Sequence, residues 1–213
     1  MKSSLSKSVF LAATLFSTSV LSIAQGNIVY DNTTTDRGQA YFSNNQFGDD
    51  ITLAGTDRTL SQFIFYYNFT GSSAGSAIGI LRLYDNSPTP GISPPNNPLF
   101  TSDPITLSPG SNQQRIDFGG ANPPVVVPDT FTWTIQFSGL GADQAGLLLY
   151  GPPTVGTTFG KFWENIGGTW TSQTIAGGSD FAARVTAVPE PSVLALGALA
   201  ALIGAAKYRK LRQ

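Results

Sequence analysis

The chain has 213 residues, no histidine, no cysteine and a formal net charge of −1. The missing residue types exclude histidine general bases, Ser-His and Cys-His nucleophile systems and the usual zinc ligand sets. The near-balanced charge hides an asymmetry: residues 25–187 carry twelve acidic against six basic side chains, a net −6, which argues against nucleic acid as a partner and suits divalent cations or neutral sugars.

Residues 1–24 read as a secretory signal peptide. Lys2 and Lys7 form a positive start, residues 9–21 an apolar stretch, and Ser22-Ile23-Ala24 the small-residue site that signal peptidase inspects. Cleavage between Ala24 and Gln25 follows, with the Sec translocon and signal peptidase as the implied partners. The absence of cysteine in an oxidising compartment means that the core alone must hold the exported fold. About 163 residues can bury roughly two thirds of their unfolded surface, enough for one domain over 25–187.

Within that stretch the period is two. Phe63, Phe65, Tyr67 and Phe69 alternate with Ile64, Tyr66 and Asn68, and Phe131, Trp133, Ile135 and Phe137 alternate with Thr132, Thr134 and Gln136. Shorter strands are expected at 28–30, 51–53, 77–84, 114–118, 146–150, 161–163, 169–174 and 181–187. Gly- and Pro-rich segments separate them, notably 71–75, 88–98, 119–124, 151–156 and 167–168. Roughly ten short strands without a helical period between the ends predict an all-β fold, an antiparallel β-sandwich or jelly roll. A hairpin tip at 165–168 is expected to bring Trp163 and Trp170 near each other.

The remaining residues bear on four chemistries. Gly71-Ser72-Ser73-Ala74-Gly75 matches a nucleophile-elbow string, but the strand-to-helix turn and the histidine that string needs are missing, so it reads as a loop. Glu164 is the single glutamate of 25–187, so a glycosidase pair of carboxylates would need an aspartate partner. Asp49 and Asp50 read as a charged loop before the 51–53 strand; with Asp31 they are candidate ligands for calcium, which gathers six or more oxygens. Otherwise no cofactor is expected. Tyr150, Trp163 and Trp170, with Tyr66 and Tyr67, could offer flat faces to sugar rings, although aromatics at period two are mostly core.

The last element runs over 188–213. Pro189-Glu190-Pro191 is a stiff rod with fixed φ angles, and residues 193–206 form an uncharged apolar segment. As a helix that segment covers about 21 Å of a hydrocarbon core roughly 30 Å thick, short for a span unless its flanks snorkel. Lys207, Arg209, Lys210 and Arg212 would hold its end on the cytoplasmic side.

Pro-Glu-Pro, a short apolar helix and a basic end, in that order, resemble the PEP-CTERM sorting signal of exopolysaccharide-producing Gram-negative bacteria. The resemblance implies recognition of Pro189, Glu190 and Pro191 by exosortase, a membrane-embedded transpeptidase-like enzyme. Residues 28–32, 47–51 and 60–65 also resemble exported choice-of-anchor β-domains, a class that carries no assigned activity. The expected life history is a precursor tethered to the inner membrane by a short transmembrane helix, then a protein of the cell envelope, outer surface or extracellular matrix. The expected function is that of a non-catalytic envelope or exopolysaccharide-matrix protein. A carbohydrate-binding module, with or without calcium, is the alternative, and a two-carboxylate glycoside hydrolase is a third reading.

Overall fold

The computed structural model describes residues 26–72, 75, 77–85, 95, 97–121, 123–175 and 180–189. The expected signal peptide, its cleavage pair Ala24 and Gln25, and the tail from Glu190 onward, with Pro191 and the basic cluster, lie outside the described residues. Among the described residues no helix is long and apolar enough to cross a membrane.

The first strands are β1 (Asn27–Asp31), β2 (Asp36–Phe42), β3 (Gln46–Thr52), β4 (Thr59–Phe69) and β5 (Ile78–Asp85). The middle of the chain forms β6 (Asn97–Thr101), β7 (Ile105–Thr106), β8 (Gly110–Asp117), β9 (Thr130–Ser138) and β10 (Ala145–Tyr150). Then come β11 (Thr157–Ile166), β12 (Thr169–Gln173), β13 (Asp180–Phe181) and β14 (Ala183–Val188).

They make two antiparallel sheets packed as a sandwich. Sheet A runs β1–β14–β4–β10–β13, with β2 on β10 and β8 on β4; sheet B runs β12–β11–β3–β9–β5–β6, with β7 on β5. β4 and β10 pair at one end, through Leu147 opposite Tyr67, and part at the other. The C-terminal segment enters that fork: the Tyr66 amide donates to the Ala182 carbonyl, and the Ala182 amide to the Leu148 carbonyl. The ends of the domain meet in sheet A, where Asn27 of β1 lies opposite Ala187 of β14.

The period-two patterns decide which side chains fill the sandwich. Phe63, Phe65, Tyr67 and Phe69 from β4 and Phe131, Trp133, Ile135 and Phe137 from β9 are all buried. Trp133 sits at the middle of the core, its ring 5.3 Å from Phe63 and 6.3 Å from Phe181, within the range where tilted and edge-on aromatic pairs attract. The β11–β12 hairpin turns on Gly167 and Gly168, with φ of 61° and 90°, the pair of left-handed positions that a two-residue hairpin turn requires.

Two expectations need correction. Asp49 and Asp50 are not on a loop; they lie inside β3, paired on both sides by β9 and β11. The Pro-rich region expected to be punctuation contributes the start of β6 at Asn97.

Candidate functional site

The β3 register fixes the chemistry of its acids. Successive side chains point to opposite faces, so Asp49 shares the inward parity of Phe47 and Ile51, whereas Asp50 faces out of sheet B beside Gly48. Both are buried all the same. Asp50 accepts hydrogen bonds from the Thr132 hydroxyl, directly opposite on β9, and from the Trp163 indole nitrogen at 2.8 Å. Trp163 lies opposite Gly48 on β11, so this bonded trio caps the outer face of sheet B.

Asp49 is in a different position. Its Oδ1 atom is buried and has no hydrogen-bond partner. Burial, then the neighbouring Asp180 and Asp50, push its carboxyl well above the usual carboxylate range, although the amides of Asp50 and Phe181 pull the other way. Asp180 is also raised by burial, against a hydrogen bond from Thr158. Two more oxygens without partners lie on β1 and just after it: the hydroxyl of Tyr30 and Oδ1 of Asn32. Asn32 is anchored through its amide nitrogen, which donates to the Phe181 carbonyl at 3.0 Å. Burial raises the Tyr30 hydroxyl, helped by Asp49, Asp180 and Asp31; Asn32 stands near enough to act on it without completing a hydrogen bond.

Asp31 is fully engaged. Its Oδ2 accepts from Arg184 Nε at 2.9 Å, and its Oδ1 accepts from the amide and hydroxyl of Thr33. Glu164 is likewise tied down, accepting from Tyr41, Ser43 and Asn45. Burial, then Glu164, push the Tyr41 hydroxyl up to about 12. A tyrosine raised in the folded state lends stability that is whole below its ordinary value of 10.0 and is lost as pH rises through about 12. The denaturant midpoint should therefore fall between pH 10 and pH 12, and more shallowly in Tyr41→Phe. An equal fall in both proteins would remove Tyr41 from the account.

A separate feature lies on the outer face of sheet A. A cleft of about 280 Å³ is bounded by Asp36, Gln39, Phe42, Asn68, Ser111 and Leu148, close to the lower end of small-molecule sites. The Asn68 amide nitrogen donates to the Ser111 hydroxyl at 2.9 Å. On the same face Tyr66 and Tyr150 stack at 5.7 Å with a tilt of 39°, and the Tyr66 hydroxyl donates to the Gln113 amide oxygen.

Of the aromatics singled out in the sequence, only Tyr66 and Tyr150 are paired among the described residues; Trp163 and Trp170 join neither that pair nor each other. Tyr150 belongs to sheet A beside Tyr66. Trp163 is buried over β3, and Trp170 stands edge-on to Tyr84 in sheet B at 6.0 Å. Trp163 and Trp170 are on the same hairpin, but Trp163 pairs with Ser172 and Trp170 with Asn165. Of the acidic candidates, Asp31 and Asp50 are satisfied by protein donors and Asp49 is half-satisfied. Among the described residues no three acidic side chains gather as a metal cluster. Asn32, Asp180 and Tyr30 escaped sequence reasoning, since Asn32 and Phe181 are 149 positions apart and only the β1–β14 pairing joins them. Pro189, the one described residue of the Pro-Glu-Pro rod, is exposed immediately after β14.

Comparison with known proteins finds no likeness: no family model, curated protein or solved structure matches the chain.

Proposed function

We propose that this is an exported, non-catalytic protein of the bacterial cell envelope or exopolysaccharide matrix, in which the sandwich is the delivered domain and both ends are addresses. The observation that carries this reading is where the strands stop. β1 begins two residues after Gln25 and β14 ends one residue before Pro189, so both proposed processing points fall outside every strand of the described residues. The pairing of Asn27 with Ala187 places the two described ends of the chain, Gly26 and Pro189, at the same end of sheet A. Among the described residues, no ladder hydrogen bond crosses either processing point. A Pro-Glu-Pro rod just beyond the last strand keeps its backbone uncovered for a membrane-embedded processing enzyme, with exosortase as the partner that the tail's resemblance implies.

The test is replacement of Glu190 by Ala, or of Pro189 and Pro191 together by Ala. Membrane insertion should be retained and the shortened mature product should disappear. Unchanged processing in both variants would remove the tail's recognition role.

A second reading, a carbohydrate-binding module, is favoured by the sheet A cleft. Its border alternates amides and a hydroxyl, which pair with sugar hydroxyls, with the apolar Phe42 and Leu148, which pack on C–H faces. Asp36 is its one charged group, so a neutral glycan is the fitting ligand. Titration of the full-length chain with neutral oligosaccharides should give saturable binding that weakens about tenfold, roughly 1.4 kcal/mol, in Asn68→Ala. Absence of binding to any neutral glycan would end this reading.

A further inference from the structure

The sandwich contains an oxygen-lined point that its own hydrogen bonds leave incomplete. Among the described residues four buried side-chain atoms meet no hydrogen-bond partner: Trp133 Nε1 in the core, and the three oxygens Tyr30 Oη, Asn32 Oδ1 and Asp49 Oδ1. The residues of the three oxygens are 0%, 1% and 1% exposed. Buried polar groups in folded proteins are nearly always paired, so three unpaired in one neighbourhood call for a ligand or a proton.

They do share one neighbourhood. Asn32 is tied to the carbonyl of Phe181 and Asp49 to its amide. Asp49 and Asp180 both border a narrow crevice closed by Gly160, Phe162 and Ile175, and Tyr30 lies in the field of both acids. All the donors are oxygens, two of them carboxylates. Lys161 lines the crevice without an ion pair to either acid within the described residues.

We propose that Asp49, Asp180, Asn32 and Tyr30 hold a calcium ion between β1, β3 and β13. Hard divalent cations take carboxylate, amide and hydroxyl oxygens, and calcium tolerates irregular shells of six to eight. Two carboxylates match its charge, and the unpaired oxygens of Asn32 and Asp49 supply acceptors with no competing donor. The ion ties β1, the first strand, to β13, next to the last, across sheet B's β3. It would lock the two ends of the domain in place after export, where millimolar calcium suits a site of modest charge. Asp50 and Asp31, which the sequence also suggested, are outside this shell, since Trp163, Thr132 and Arg184 occupy them.

The geometry of the site is independent of the export reading, on which only the calcium supply rests, and its test is separate. The full-length chain, purified in mild detergent and stripped with EGTA, is melted with calcium chloride, magnesium chloride or sodium chloride at matched ionic strength. Calcium at about a hundredfold over its dissociation constant should raise the midpoint by about 5–10 °C, magnesium by less and sodium not at all. Asp49→Asn should lose the calcium shift while keeping the wild-type far-ultraviolet spectrum. If that variant does not fold, terbium luminescence sensitised by tyrosine in the wild-type chain, displaced by calcium, supplies the decision. A wild-type chain blind to calcium in both measurements keeps a proton on Asp49 in place of the ion, and the proposal falls. An undiminished calcium shift in a folded Asp49→Asn chain overturns it equally.

Discussion

Gly48→Ala is expected to cost about 3 kcal/mol, enough to remove much of the folded protein from a domain whose whole stability is of the order of 5–15 kcal/mol. Gly48 lies in β3 with β11 on one side and β9 on the other, opposite Trp163 and Thr134. The space that a Cβ would need is taken by the Trp133 carbonyl and by Cα of Thr134, 2.5 Å away. Both are backbone atoms of a central strand, so no rotamer change relieves the overlap; β9 itself must shift. That strand carries Trp133, the centre of the core, so the displacement spreads to Phe63 and Phe181. Denaturant unfolding of the full-length variant measures the loss. Gly119→Ala, where nothing stands within 4 Å of the added carbon, should change stability by no more than about 0.5 kcal/mol. Equal midpoints for the two variants would mean that β3 and β9 do not approach as closely as described.

Asp50→Ala is expected to be nearly as damaging, again about 3 kcal/mol, because it strands two buried donors, the Trp163 indole nitrogen and the Thr132 hydroxyl. The diagnostic comparison is Asp50→Asn. An asparagine oxygen can still accept from Trp163, and its amide can donate to a rotated Thr132 hydroxyl, so most of the stability should return. Chemical denaturation of both variants separates bonding from charge. If Asn were as harmful as Ala, the negative charge of Asp50, and not its hydrogen bonds, would be what the sheet B face requires.

The class of fold was legible because burial writes itself into alternation. Phe131 to Phe137 and Phe63 to Phe69 are central strands with one face in the core, and period two in the sequence became the inward rows of β9 and β4. Strands without a buried face left little or no such trace: of β8 only the second half was expected, at 114–118, and of β2 nothing. β2, Asp36–Phe42, is mostly exposed, and β8, Gly110–Asp117, is polar along its first half at a sheet edge; both owe their conformation to a neighbour's ladder. Asp49 and Asp50 misled for the opposite reason. Adjacent acids ordinarily mark a solvated turn, and only Trp163, Thr132 and the Phe181 amide, supplied by distant strands, make a buried position for them tenable. The candidate cation site was legible at Asp49 alone. Asn32 and Asp180 have no local signal, since their meeting is a property of which strands pair.

The proposed function places the ends of the mature protein just outside the sandwich. The most direct measurement is the mass of both termini of the product isolated from its native cells. The account predicts an N-terminus at Gln25, a C-terminus at or close to Pro189–Glu190–Pro191, and recovery from the envelope or matrix fraction. A soluble cytosolic product that still carries Met1 and Gln213 would contradict it.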